Sequence, residues 1–240
     1  MVSNEELAAT LRRATQGLTA NHSVRDLDQT LAEIVTAAVD TVPGVDAGGI
    51  SMTSDGEVTS RHPTSEAVTR LDERQSELAE GPCITAMRQP PDDGAVVVGD
   101  LAGEDAARWP RFAPHAVATG YRSMISCSMN TSDRLRVALN LYAGVPQAFD
   151  ADARLIAALF GAQAATLLYG SEQAQHLQRA VDSRDVIGQA KGILIERFRV
   201  DSDTAFQLLV TSSQETNIKL VDVARWLVDE TTAQAPAASR

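Results

Sequence analysis

From Asp150 the apolar residues recur at helical spacing, with few breaks, as far as Phe198. A helix of that length predicts a connecting coiled coil rather than a helix packed within one globular domain. Leu167, Ala174 and Val181 stand seven apart, and Gly170 and Leu177 fill the other seam position. The pattern predicts a parallel homodimer contact, with the coiled-coil linker at about residues 160–185. It divides the chain into residues 1–170 and residues 171–240.

The first part reads as an α+β layer domain. Residues 5–19 and 24–42 carry helical periodicity, and Leu27, Leu31, Ile34, Val35, Ala38 and Val42 form one buried stripe in the second. Pro43–Gly44 should end that helix. Val45–Thr53 and Glu57–His62 read as strands around Ser54–Asp55–Gly56, and Ser65–Leu78 as a polar helix. Val96–Val98 reads as a short buried strand. Arg122–Met129 and Arg134–Tyr142 alternate across the turn-forming run Asn130–Thr131–Ser132–Asp133, which predicts an antiparallel hairpin with one face in the core.

Composition narrows the function. The start, MVSNEELAATLRR, is acidic and amphipathic, which does not suggest a signal peptide, and no run reaches the roughly 20 apolar residues of a membrane span. Cys83 and Cys127 are 44 residues apart with no paired spacing for zinc. A cytoplasmic chain with reduced thiols is expected. His22, His62, His115 and His176 are scattered, so no metal or haem site is expected. A Gly-rich phosphate loop, nucleophile elbow or HExxH run is missing, so the chain does not read as an enzyme. The net charge of −11 argues against indiscriminate binding of polyanions. Residues 172–240 carry 8 basic and 10 acidic residues, so any nucleic-acid site there is a local patch.

The tail holds the most specific motif, IGQAKGILIERF over Ile187–Phe198. Gly188 and Gly192 flank Lys191 in a helical pattern, where each glycine costs about 1 kcal/mol relative to Ala. Ile187, Ala190, Leu194 and Phe198 form an apolar stripe, widened by Val186 and Ile193. Arg184, Gly188, Lys191 and Ile195 lie opposite. The glycines either leave the backbone open to a phosphate or base, or admit a neighbouring helix. A second helix is capped by Asp201 or Ser202, turns Ala205, Phe206 and Leu209 inward and ends at Ser212–Gln214. A third starts at Thr216 or Asn217, buries Leu220, Val223, Ala224, Leu227 and Val228, and leaves Lys219 and Arg225 outward.

In order and spacing, residues 175–230 resemble an ANTAR domain, the three-helix RNA-binding module of bacterial transcription antiterminators. About residues 20–170 resemble the GAF domain that precedes ANTAR modules in actinobacterial regulators. That second resemblance rests on Glu80–Gly81–Pro82–Cys83, Arg108–Trp109–Pro110 with Phe112, Gly120–Tyr121–Arg122–Ser123, Leu139–Asn140–Leu141–Tyr142 and Phe149–Asp150. The fold it implies is a GAF-like antiparallel sheet flanked by helices, a long connecting helix and an all-α three-helix bundle.

The resemblance implies a signal-responsive antiterminator whose partner is RNA, a tandem stem-loop in an mRNA leader. No cofactor is implied beyond a small GAF ligand of unknown identity. Lys191, Arg197 and Lys219 are the candidate phosphate contacts, and Gln189, Gln214 and Asn217 the candidate base readers. Arg184 and Gly188 complete the RNA-binding set. Cys83 at a helix start is either a thiol sensor or a structural cysteine. This chain carries Val210–Thr211 and Ile218 where the family often places basic residues, and Ile195 where methionine is usual. Those changes remove phosphate-binding charge and leave open a second reading, a ligand-sensing dimer whose tail is a protein-interaction module. The tail lacks the basic recognition helix that DNA groove entry wants, so DNA is not an expected partner.

Overall fold

The computed structural model describes residues 27–54, 57–130 and 135–234. The expected helix over 5–19, His22 and most residues of the two turns lie outside them. The chain forms two compact units, residues 1–171 and 172–240, both containing part of one long helix.

In the first unit, β1 (Ala47–Ser54), β2 (Glu57–Arg61), β3 (Ala95–Val98), β4 (Ser123–Ser128) and β5 (Val137–Ala143) make a sheet of order β2-β1-β5-β4-β3. Every pairing is antiparallel. The central strand β5 is buried along its whole length. The sequence pattern predicted one buried face for the β4–β5 hairpin; helices cover both faces instead, and this corrects it.

On one face lie α1 (Leu27–Thr41) and the first part of the long helix. Leu31, Ile34, Val35 and Ala38 of α1 pack with Ile50, Ile125, Cys127, Leu139 and Leu141 of the sheet. The chain leaves α1 through Gly44 at φ 82°, where a Cβ would come within 2.9 Å of the Ala148 carbonyl oxygen. On the other face lie α2 (Glu66–Leu78), α3 (Pro82–Arg88) and α4 (Ala113–Ala118), with a 3₁₀ turn at Glu104–Arg108. Trp109 and Phe112 are buried there with Val96, Val98 and Met124. The Trp109 indole N–H donates to Thr85 Oγ1 at 3.1 Å, and the Arg108 guanidinium lies 4.2 Å over the ring.

The long helix α5 spans Ala151–Phe198. Asp150 caps it, its Oδ1 accepting from the Ala153 N–H at 2.9 Å. Ala153, Ile156, Ala157, Phe160, Ala164 and Leu168 recur at three and four and bury one stripe on the sheet. Part of α5 is long and apolar enough to meet the length and composition of a membrane span, a point missed by counting unbroken apolar runs. Part of that apolar stretch is the stripe packed on the sheet.

The second unit comprises the end of α5, α6 (Ser202–Thr216) and α7 (Leu220–Gln234). Its core is thin. Ala190, Leu194, Ala205, Leu209 and Ala224 are buried, with Val186, Ile187, Leu220, Val223, Leu227 and Val228 packed around them. Three local expectations need correction. Phe198 ends the helix 59% exposed, beyond the reach of this short core. Helix α6 runs two residues past Gln214. Asn217 then takes the left-handed conformation, φ 55°, and its N–H closes α6 on the Ser213 carbonyl. The third helix therefore starts at Leu220, with the Lys219 carbonyl accepting from Asp222 and Val223.

Candidate functional site

Two sites emerge, one on each unit. In the helical unit, Arg184, Gly188 and Gln189 are exposed on α5, and Lys191 is half-buried. A Cβ built at Gly188 or Gly192 meets nothing within 4 Å. Neither glycine is there to admit another helix of this chain, so that alternative falls within the described residues. At about 100° per residue, Arg184, Gly188, Gly192 and Ile195 line one stripe, with Lys191 on its flank toward the core. The Lys191 ammonium lies 5.7 Å from the centre of the Phe206 ring. Arg197 stands about half a turn around the helix from Gly188, so the helix does not bring it to the glycine face. Asp185 and Glu196 border that face on the side away from Lys191, which keeps its charge mixed.

Gln214, Asn217 and Lys219 are grouped at the α6–α7 turn, all exposed. The turn is held by its backbone and by Ser213, whose hydroxyl donates to the Ile218 carbonyl at 2.5 Å. The three candidate side chains are thus displayed on a fixed turn. Arg225 pairs with Asp222 at 3.0 Å. Trp226 is 65% exposed on α7.

The second site was not anticipated from sequence. Under α2, on the sheet face opposite α1, Ser51, Asp72, Gln75, Ser126 and Asn140 are fully buried together with Tyr142 and Cys83. Asp72 Oδ1 accepts from the Tyr142 hydroxyl at 2.8 Å and from Asn140 Nδ2 at 3.3 Å. Its Oδ2 accepts from the Ser60 hydroxyl at 2.8 Å. Asn140 Nδ2 also donates to Ser51 Oγ at 2.8 Å, and Asn140 Oδ1 accepts from Ser126 at 2.8 Å. Gln75 Nε2 donates to the Tyr142 hydroxyl at 3.3 Å, while Gln75 Oε1 accepts the Cys83 N–H at 2.9 Å.

Burial pushes the Asp72 carboxyl up to about 6, against the pull of its hydrogen bonds. Burial, and then the nearby Asp72, hold the Cys83 thiol well above its usual range. Burial pushes Cys127 up to about 12. Both thiols are buried and protonated, the reverse of the electropositive setting that makes a reactive cysteine. The signal for this cluster was legible: Val68, Leu71, Asp72 and Gln75 fall at i, i+3, i+4 and i+7, so an Asp and a Gln occupy an inward stripe. Among the described residues no group of His, Cys, Asp and Glu is arranged to hold a metal ion.

An antiparallel sheet domain covered on both faces, followed through a continuous helix by a small helical bundle, defines a two-module protein. The chain belongs to the GAF domain family, matched over residues 24–168, and carries an ANTAR domain over residues 175–228. These are sensory and regulatory domains, and the protein is a signal-sensing regulator of GAF–ANTAR architecture. No curated protein matches the chain.

Among solved structures, the GAF domain of an Acinetobacter phosphoenolpyruvate-protein phosphotransferase is 17% identical with a TM-score of 0.50, covering 71% of this chain and 96% of that one. The equivalent domain from Coxiella burnetii is 15% identical with a TM-score of 0.52, covering 72% and 99%. A bacteriophytochrome from R. palustris is 11% identical with a TM-score of 0.54, covering 86% of this chain and 46% of that one. At such identities the likeness is one of fold alone.

Proposed function

We propose that the chain is a cytoplasmic, homodimeric antitermination regulator, in which residues 1–170 receive a small signal and residues 171–240 bind a two-hairpin RNA. The observation that carries this reading is the glycine pair. Gly188 and Gly192 stand on an exposed helix face where, among the described residues, nothing packs against them, and each costs about 1 kcal/mol of helix stability. The ANTAR match lends that open backbone a ligand class.

Phosphates meet Lys191 and Arg184 beside the open backbone, and Lys219 at the α6–α7 turn. Gln189, Gln214 and Asn217 address the exposed bases of the hairpin loops. Arg197 is the weakest member of the set, since the helix turns it away from the glycine face. The dimer forms through α5, where Leu177 and Val181 are exposed large apolar residues. DNA and membranes are not partners in this account.

The test is a binding assay of the full chain on a two-hairpin RNA across a salt series. Saturable binding whose affinity falls with salt supports the proposal. A second reading, a protein-interaction tail, draws on the exposed Trp226 and Phe198 and on the net charge of −2. Absence of RNA binding at low salt would favour it.

A further inference from the structure

The cluster under α2 has an asymmetry that bears on what the first unit can sense. With Asp72 ionised, Ser60, Asn140 and Tyr142 all donate to it, and among the described residues no cation pairs with it. The titratable groups facing it are Cys83 from α3 and Tyr142 from β5. Both are held neutral, first by burial and then by the charge of Asp72 itself. Ser51 of β1, Ser126 of β4 and Asn140 of β5 are polar but do not titrate. Asp72 is therefore the one group of the cluster that changes charge near neutral pH.

Protonation demands an acceptor for the new O–H. Asn140 presents an amide N–H and cannot supply one. Tyr142 already accepts from Gln75. Ser60 differs: it lies on the edge strand β2, it is half-buried, and its hydroxyl can rotate. On proton uptake it can accept from Asp72 Oδ2 and turn its own hydrogen outward.

We infer that this cluster is a proton-sensing site, in which Asp72 takes up a proton at Oδ2 and Ser60 reverses from donor to acceptor. The step is a simple protonation, with solvent as the proton source at the sheet edge. Its effect reaches α3, because α2 also carries Gln75, which holds the Cys83 N–H. It concerns the sensor unit alone and does not depend on RNA binding.

The experiment is a pH titration of the full chain by NMR, with the aspartate carboxyl carbons labelled. One aspartate should titrate with a midpoint near pH 6, and that signal should be missing from Asp72→Asn. The backbone amides of Ser60 and Cys83 should shift with the same midpoint. Ser60→Ala removes both the donor to the ionised carboxylate and the acceptor for the protonated one; the charge-assisted bond is the stronger of the two, so the midpoint should still rise, by about 0.5 unit. An aspartate set that titrates wholly below pH 5 would overturn the inference. So would a midpoint unchanged in Ser60→Ala, a variant that keeps the test open even if Asp72→Asn fails to fold.

Discussion

The ammonium of Lys191 lies 5.7 Å from the centre of the Phe206 ring, within reach of a cation–π attraction. A flexible side chain on the flank of the glycine face is thereby held in one place, which lowers the entropy lost when it meets a phosphate. Lys191→Ala should weaken RNA binding by roughly 1–2 kcal/mol and reduce the salt slope by about one. Its unfolding free energy should fall by about 0.5–1 kcal/mol, the cation–π contact alone. A melting curve and a salt-dependent binding series on the same sample separate the two effects.

The glycines give a prediction of opposite sign for folding and function. A Cβ at Gly188 or Gly192 meets open space, so Gly188→Ala and Gly192→Ala should each stabilise the helix by about 1 kcal/mol. Gly188→Leu should stabilise the helix almost as much and yet weaken RNA binding, because the side chain occupies the approach to the backbone. Denaturant melts decide it: a loss of stability in the alanine variants would mean that something packs against this face.

Asp72 links stability of the first unit to pH. Its folded pKa, about 6, lies above the ordinary carboxylate value of 3.8, so between those values the folded chain holds a proton that the unfolded chain has lost. Stability from this group is fully present below about pH 4 and declines as pH rises through 6, by about 3 kcal/mol in all. Asp72→Asn should flatten that part of the stability–pH curve. Chemical denaturation at pH 5 and pH 8, wild type against variant, measures the difference.

Cys83 and Cys127 are both buried, with thiol pKa values pushed up by burial. In the native protein at pH 8 both should resist a thiol reagent and react only as the first unit unfolds. Cys83→Ser should leave any signalling response intact. A thiol that reacts rapidly in the folded chain would restore the sensor reading of Cys83.

Val181 is 53% exposed and Leu177 is 68% exposed on α5. If they form the seam of a dimer, Val181→Asp should release monomers in sedimentation and give a melting temperature that no longer depends on protein concentration. A dimer that persists would place the contact elsewhere.

Much of this architecture could be read from spacing. The three-and-four pattern of α1, the Asp150 cap and the unbroken helix to Phe198 are local features, and the helices formed where those features lie. What failed was tertiary. Alternation along β5 showed Val137, Leu139 and Leu141 on one face. It could not show that Ala138, Asn140 and Tyr142 would be covered too, since that depends on α2 and α3 folding over them. Asn217 illustrates a smaller failure: it looked like a helix start, but an asparagine tolerates the left-handed conformation and here ends one helix instead. At the glycine motif, sequence alone left two explanations standing, and the open space around both glycines removed one.

Affinity of the full chain for a two-hairpin RNA measures whether the helical unit binds RNA. Wild type and Lys191→Ala would be titrated side by side from low to physiological salt, with a scrambled RNA of equal length as control. Binding should be saturable, should prefer the two-hairpin RNA and should weaken linearly in log–log form as salt rises, with a shallower slope for Lys191→Ala. Equal affinity for the scrambled RNA, or no difference between wild type and Lys191→Ala at any salt, would contradict it.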